Sequence, residues 1–255
     1  EINLAQDLNE TRELMGNGRV FFFVYMLKAL DDILNDFPKM IRCHYLEGII
    51  FNFNNQNLLN SFLCYLTAED EAKKDNLPTT LLGFIYYQMG KCLEKKKMGK
   101  STAYDAYSKA YTANPYMMRA LYKLAEIEYG KGEYEKAAKH SNKIIHVLLN
   151  GYPMNKAMPG QQLYAYKSLV LLGDIYQAEE RHELAIRCYE RALELAKTRS
   201  LFYEVWDNDN ISFEPIQKMC MPIQPIYYKL INCAAMCNDV NQRAKYYEIL
   251  RYEND

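Results

Sequence analysis

Apolar residues recur at helical spacing along most of this chain, and the pattern is clearest between residues 169 and 197. Four positions at i, i+3, i+4 and i+7 predict one face of a first helix: Leu169, Leu172, Gly173 and Tyr176. Four further positions predict one face of a second helix: Ala185, Tyr189, Ala192 and Leu193. The polar residues 179–182 separate the two patterns and predict a tight turn between the helices.

Small residues are placed where this hairpin needs them. Gly173 and Ala185 are predicted to face each other, which lets the two helix backbones approach closely. Tyr176 and Tyr189 would fill the space on either side, because pairing large with small residues gives an antiparallel hairpin native packing density. Periodicity alone therefore predicts a helical hairpin with close backbone contacts.

The order of these residues resembles the tetratricopeptide repeat. The resemblance is carried by Leu172-Gly173-x-x-Tyr176, followed by Ala185-x-x-x-Tyr189-x-x-Ala192. The proline that usually closes the unit is absent, and Lys197 stands in its place. The resemblance implies an all-α fold, a right-handed α-solenoid of antiparallel helix hairpins, and a role in binding a partner protein or peptide.

Two further repeats are predicted before this one, so that the three occupy residues 79–115, 116–149 and 163–197. The first pairs Leu82-Gly83-x-x-Tyr86 with Ala103-x-x-x-Tyr107-x-x-Ala110. Its glycine lies 20 residues before the alanine, against 12 between Gly173 and Ala185, and we interpret the excess around residues 94–97 as a solvated helix extension. In the middle repeat Ala125 and Ala137 take the small positions, and the family pattern is broken at Glu128, Ser141 and Ile144.

The remaining residues are predicted to extend the same domain. Residues 1–78 are interpreted as degenerate N-terminal hairpins, and residues 200–255 as an irregular linker followed by a hairpin that caps the solenoid. A loop is predicted between residues 150 and 160 from its glycine and proline content. The total expected is eleven or twelve helices without a sheet. Because the chain begins at Glu1, we also expect it to be a fragment that lacks an upstream domain.

The composition of the chain reduces the number of function classes that remain possible. A net charge of −1 argues against bulk affinity for nucleic acid, and the apolar run at residues 20–27 is too short to insert across a membrane. The 23 tyrosines suggest helix interfaces or a binding surface, since tyrosine combines an apolar ring with a polar tip. The seven cysteines lack a CxxC pair, which favours buried thiols in a reducing compartment, and we expect a cytoplasmic protein.

We predict no catalytic, metal or cofactor site. Cys233 and Cys237 share a helix face, but no histidine nearby completes a metal set. The string Trp206-Asp-Asn-Asp-Asn210 lacks the central glycine and closing glutamate of a calcium loop. The four histidines belong to no recognisable catalytic motif, so the chain itself is not expected to be an enzyme.

The resemblance implies that the first helix of each pair lines a concave groove. The partner-binding residues predicted there are Phe84, Tyr87, Gln88, Arg119, Tyr122, Glu126, Tyr129, Lys167, Asp174 and Gln177, with Thr80 and Val170 beside them. The variety of the family that clamps a chaperone's C-terminal carboxylate needs lysine and asparagine at certain groove positions. Thr80, Phe84, Tyr122 and Glu126 stand at such positions here, so this kind of ligand is not expected. An extended segment with apolar side chains and mixed charge is the expected ligand.

Three alternatives stay open at this stage. The groove aromatics could instead pack against neighbouring helices, with the groove filled by the chain's own loop at residues 151–160. The chain could be an accessory domain of a larger enzyme, such as a glycosyltransferase with a helical-repeat tail. It could also be the repeat domain of a peptide-sensing regulator.

Overall fold

The computed structural model describes residue 48 and residues 58–95, 100–151, 162–198 and 223–252. Within these ranges the chain forms nine α-helices, one π-helical turn and no strand, which confirms the all-α prediction. Several predictions lie wholly or largely outside the described residues: the helices expected before residue 48, the loop expected at 150–160 and the string at 206–210. Of that loop, only residues 150 and 151 are described, and they belong to the π-helical turn.

We number the helices in chain order. They are α1 Leu58–Lys74, α2 Thr79–Lys95, α3 Lys100–Ala113, α4 Met118–Gly130, α5 Tyr134–His146, α6 Gln162–Ala178, α7 His182–Thr198, α8 Gln224–Met236 and α9 Val240–Tyr252. The π-helical turn Val147–Gly151 continues α5.

The chain divides into two compact units, with the boundary between Pro78 and Thr79. In the first unit, α1 packs against the backbone at Gly48. The Ser61 hydroxyl donates a 2.7 Å hydrogen bond to the carbonyl oxygen of Gly48. A Cβ atom at Gly48 would lie 2.8 Å from Cζ of Tyr65, whose side chain is fully buried. A glycine, a small residue and a tyrosine therefore meet here as they were predicted to meet around Gly173.

The second unit is a stack of antiparallel hairpins: α2 with α3, α4 with α5, α6 with α7, and α8 with α9. Each hairpin also contacts the next, through α3 and α4, α5 and α6, and α7 and α8. The first helices α4 and α6 touch directly. This is the predicted α-solenoid of antiparallel hairpins.

Close contact between a glycine and a tyrosine ring sets the spacing of two of these hairpins. A Cβ at Gly173 would lie 2.7 Å from Cδ1 of Tyr189, and a Cβ at Gly90 would lie 2.7 Å from Cδ1 of Tyr107. Separations this short are well inside van der Waals contact, so only glycine fits at either position. Both rings are completely buried.

The first repeat was therefore predicted in the wrong register. Gly90, and not Gly83, is the counterpart of Gly173. Gly83 instead packs near the end of α3, where an added Cβ would lie 2.7 Å from Cβ of Asn114. Since Gly90 lies only 13 residues before Ala103, against 12 in the clear repeat, the predicted excess of eight residues shrinks to one.

The middle hairpin replaces the glycine–tyrosine pair by Ala125 and Ser141, both fully buried. Its other departure from the family pattern, Glu128, is 1% exposed. The carboxylate accepts a hydrogen bond from the Tyr104 hydroxyl (2.9 Å) and lies 2.8 Å from Nδ1 of His140. A buried carboxylate is tolerated here because both its oxygens have partners.

Three turns within the hairpins have the same geometry. At Gly132, Glu180 and Asn238 the backbone has φ of 80°, 59° and 55°. In each turn this residue and the next donate backbone hydrogen bonds to the last turn of the preceding helix, as in a Schellman motif. Of these three residues, Glu180 is the one whose backbone conformation is energetically unfavourable, because the left-handed region favours glycine or asparagine.

Candidate functional site

The corrected register aligns the first helices α2, α4 and α6 at the groove positions. Four positions in each helix are equivalent, counted from the small residue at Gly90, Ala125 or Gly173. They are Phe84, Tyr87, Lys91 and Glu94 in α2; Arg119, Tyr122, Glu126 and Tyr129 in α4; and Lys167, Val170, Asp174 and Gln177 in α6.

Residues of α2, α4 and α6 enclose a pocket of about 210 Å³, which we call the Lys–Tyr pocket. It is lined by Tyr87, Lys91, Glu94, Lys95, Tyr122, Lys123, Glu126, Tyr164 and Lys167. Four of these were predicted from the sequence: Tyr87, Tyr122, Glu126 and Lys167. The structure therefore brings together predicted residues from all three repeats.

Tyrosine rings form the apolar part of this pocket. The centroids of Tyr122 and Tyr164 are 5.6 Å apart, and Tyr87 packs at the same distance from Tyr107 in the core. The ammonium of Lys167 lies 5.7 Å from the Tyr122 centroid and 5.2 Å from that of Tyr164. A cation over an aromatic face is attracted by the ring quadrupole, so Lys167 is held in position over the two rings.

Charged groups line the rest of the pocket. Lys123 contacts both carboxylates, with its ammonium 3.4 Å from Glu94 and 3.0 Å from Glu126. Glu94 also accepts a 2.7 Å hydrogen bond from the Tyr107 hydroxyl. Glu94 and Lys95 lie in the last turn of α2 and line the Lys–Tyr pocket, with the Glu94 side chain still 44% exposed to solvent.

Arg119 joins the first two repeats beside the pocket. Its guanidinium carbon lies 4.6 Å from the ring centroid of Tyr87 and 5.6 Å from that of Phe84. Phe84 and Arg119 are both partly exposed. Gln88 is also partly exposed, but it does not line the pocket.

The other three predicted groove residues lie further along the helices. Tyr189 donates a 2.6 Å hydrogen bond to Asp174, and its hydroxyl is 3.1 Å from Oε1 of Gln177. The Lys229 ammonium also donates to Asp174. Burial, together with the Asp174 carboxylate, raises the pKa of both Tyr189 and Tyr129. These groups connect α6 to its neighbours, and their hydrogen bonds are made within the protein.

Five lining residues were missed: Lys91, Glu94, Lys95, Lys123 and Tyr164. A signal for the first two existed in the sequence. Gly90 stands 13 residues before Ala103, close to the 12 of the clear repeat, and counting groove positions from Gly90 gives Lys91 and Glu94 directly. Tyr164 lies in the first turn of α6, before the positions that the resemblance assigns to a groove.

Other chemistry is limited in the part of the chain that the structure describes. No group of three or more His, Cys, Asp or Glu residues there is arranged to hold a metal ion. Cys188, Cys233 and Cys237 are free thiols. Burial raises the pKa of Cys188 and Cys233 to about 11. Among the helices described, none has both the length and the hydropathy needed to cross a membrane.

Comparisons with known proteins agree with this architecture. The family model described as "Tetratricopeptide repeat" matches residues 166–199. No curated protein matches the chain in a sequence comparison. The similarity to solved structures below is at low sequence identity and shows the fold alone.

Three solved structures are similar over much of the chain. BtubC (BKLC) from P. vanneervenii is 13% identical with a TM-score of 0.64, covering 99% of this chain and 91% of that one. A putative kinesin light chain of Podospora anserina with TPR-like repeats is 8% identical with a TM-score of 0.57, covering 83% and 93%. NprR in complex with its cognate peptide NprX is 13% identical with a TM-score of 0.51, covering 98% and 66%.

The family resemblance seen in the sequence is confirmed. The chain carries a tetratricopeptide repeat at residues 166–199, and its fold is similar to the α-solenoids of tetratricopeptide-repeat proteins.

Proposed function

We propose that this chain is a non-catalytic scaffold that binds a protein or peptide segment along the face formed by α2, α4 and α6. The observation that carries the proposal is the Lys–Tyr pocket, to which three successive repeats contribute side chains. Tyrosine and arginine are the residue types that anchor protein interfaces, and Tyr122 and Arg119 stand at the centre of this face.

The geometry favours an extended segment as ligand. Packed helices lie about 8–10 Å apart, so three first helices span roughly 20 Å between the outer axes. An extended chain advances about 3.3 Å per residue, and about six residues would cross the face. The NprR complex shows a similar fold that binds a peptide, which supports the same role here.

Peptide binding by the isolated protein tests this proposal. A random peptide-display library would be selected against the chain, and the enriched peptides measured by fluorescence anisotropy. Arg119→Ala with Tyr122→Ala is expected to weaken binding by about tenfold or more, because central aromatic and arginine residues carry most interface energy. Lys139→Ala, at an exposed position on α5, is the matched control and should bind normally.

Tyr122 is largely buried, so the double variant must first be shown to fold by circular dichroism and thermal melting. Lys167→Met is a milder second variant, because it keeps an apolar stem over the two rings while removing the charge. Enriched peptides that bind all these variants as tightly as the unchanged protein would place the binding surface elsewhere. A selection that enriches no peptide would contradict the proposed function itself.

A further inference from the structure

The last hairpin differs from the inner ones where its two helices pack. Counted back from the positive-φ turn residue, Ile231 of α8 is the counterpart of Gly173. Counted forward from the same turn, Tyr247 of α9 is the counterpart of Tyr189. Gly173 leaves room for the Tyr189 ring, whereas the buried Ile231 side chain fills that space in the last hairpin. Tyr247 is therefore 48% exposed, while Tyr189 is completely buried.

Exposed residues form a row along one side of α9, which we call the terminal stripe. It consists of Val240, Arg243, Ala244, Tyr247 and Arg251, at i, i+3, i+4, i+7 and i+11. The positions of α7 that match its two arginines and its tyrosine are all buried, and they hold Ala185, Tyr189 and Leu193. An inner hairpin thus uses this side of its second helix for packing, whereas α9 presents arginine, tyrosine and small apolar residues there.

The arginines of the terminal stripe have no carboxylate partner within the part of the chain that the structure describes. Neither Arg243 nor Arg251 takes part in an ion pair there. The guanidinium carbon of Arg243 lies 5.7 Å from the Tyr247 ring centroid, so the cation and the ring form one surface. Glu248 is the one carboxylate in the sequence of α9, against three cations, and it makes no ion pair with Arg251.

We propose that the terminal stripe binds an acidic amphipathic helix of a partner protein, at a site separate from the face formed by α2, α4 and α6. Each inner second helix, α3, α5 and α7, packs against the first helix of the next hairpin. The junction of α3 with α4 shows the polar chemistry of such a contact, because Tyr104 donates a hydrogen bond to the Glu128 carboxylate of the following helix. The arginines of α9 supply donors of the same kind at the end of the stack, and an arginine–carboxylate pair is charge-assisted.

The spacing of the two arginines defines the partner helix. Arg243 and Arg251 are eight residues apart, which is about 12 Å along α9 at about 1.5 Å per residue. Carboxylates about two turns apart, at i and i+7 of the partner helix, match this distance. Small or apolar residues between them would face Val240, Ala244 and Tyr247, since a docked helix lays its apolar side against such a surface.

Two other occupants fit the terminal stripe less well. Antiparallel pairing of α9 with its copy in a second chain, centred on Tyr247, would bring each Arg243 next to an Arg251, and like charges at an interface repel. A membrane surface takes helices whose apolar side carries tryptophan, phenylalanine or leucine, and the terminal stripe contains none of these.

Matched helical peptides test the inference with the full chain. The probe is a fluorescein-labelled, acetylated and amidated alanine-rich peptide of about 18 residues, long enough to be partly helical. It carries glutamate at i and i+7 with leucines on the same side between them. One counterpart has glutamine in place of both glutamates, and another places the two glutamates on opposite sides of the helix. The probe should bind about 2- to 10-fold more tightly than either counterpart at low salt, and the difference should shrink as salt rises.

Variants of the protein locate the binding. Arg243→Met with Arg251→Met should remove the preference for the probe, whereas Arg187→Met, a matched change at an exposed position on α7, should keep it. Arg243→Glu with Arg251→Glu should prefer a peptide with lysine in place of the glutamates. This reversed preference cannot result from misfolding. Lys167→Met, in the Lys–Tyr pocket, should leave binding of the probe unchanged.

The outcomes separate this inference from the proposed groove function. Equal binding of the probe and its counterparts, no binding of any of them, or binding that ignores the arginine variants overturns the inference and leaves groove binding to the display selection. Dimerisation in analytical ultracentrifugation that Tyr247→Ala abolishes would assign the terminal stripe to a second copy. Binding to phosphatidylserine vesicles that the arginine variants abolish, without a peptide preference, would assign it to a membrane surface. Either result would also overturn the inference.

Discussion

Substituting Gly173 by alanine should destabilise the fold even though alanine is the better helix former. The new Cβ would lie 2.7 Å from Cδ1 and 2.8 Å from Cζ of Tyr189. The ring cannot easily retreat, because it is fully buried and its hydroxyl is hydrogen-bonded to Asp174. Either α6 and α7 move apart, or the ring shifts and its hydrogen bond is weakened.

The magnitude follows from two opposing contributions. Alanine gains about 1 kcal/mol over glycine in a helix interior. Overpacking a well-packed site costs about 1–3 kcal/mol, and disturbing a hydrogen bond to a charged group adds up to about 1.5–3 kcal/mol. We therefore expect a net loss of about 1–2 kcal/mol in the free energy of unfolding, measured by urea denaturation. For a chain of this length, the melting temperature should fall by about 2–8 °C.

A double-mutant cycle separates the steric effect from helix propensity. In a Tyr189→Ala background the ring is absent, so Gly173→Ala should become neutral or stabilising, and the coupling between the sites should reach about 1–3 kcal/mol. Ala125→Gly, at the corresponding position of the middle hairpin, should instead cost about 1 kcal/mol. Equal effects of Gly173→Ala with and without the tyrosine ring would refute the close-contact explanation.

Three further predictions concern stability and reactivity. Glu180→Gly should raise the free energy of unfolding, measured by urea denaturation, by about 0.5–1 kcal/mol, because φ is positive at this residue. Gly132→Ala should lower the free energy of unfolding for the same reason. A lower stability of the Glu180→Gly variant would contradict this explanation. Burial and the adjacent buried carboxylate raise the pKa of Tyr104 to about 12, above its unfolded value near 10. Its neutral form therefore stabilises the fold fully below pH 10, and that stability is lost as pH rises towards 12. Tyr104→Phe should flatten the alkaline part of a stability–pH profile and Tyr228→Phe, at an exposed position, should not; identical profiles would contradict the assignment. Cys233, buried and with a pKa of about 11, should react with a thiol reagent at neutral pH only after unfolding, as mass spectrometry would show; rapid modification of the native chain would contradict its burial.

The hairpin at residues 169–197 was predictable because both of its helices carry the repeat residues at the expected separation. The first repeat was misplaced for a physical reason. Gly83 and Gly90 are seven residues apart, which is almost two helical turns, so they lie on nearly the same face of α2. Periodicity cannot choose between two such positions. Only the contact with Tyr107, made across the hairpin, identifies Gly90 as the packing glycine.

Residues of the candidate site could be predicted only in the repeats whose register was assigned correctly from the sequence. In α4 and α6 the groove positions were counted from Ala125 and Gly173, and three of the residues counted this way, Tyr122, Glu126 and Lys167, line the Lys–Tyr pocket. In α2 the count began two turns too early, so Lys91 was missed. The interactions of Asp174 with Lys229 could not be foreseen, because they join residues 55 positions apart whose proximity depends on how the last hairpin stacks.

Hydrogen bonds from tyrosine and lysine to carboxylates connect one hairpin of the stack to the next. Tyr104 of α3 bonds to Glu128 of α4, and Tyr246 of α9 bonds to Glu190 of α7. In a one-dimensional array, stability is the sum of the units and their nearest-neighbour interfaces. Since unfolding one hairpin would leave a carboxylate of its neighbour without its partner, these bonds add to the interface energies. The hairpins should therefore unfold together. A substitution at Glu128 should lower the stability of both hairpins that meet there, α2–α3 and α4–α5.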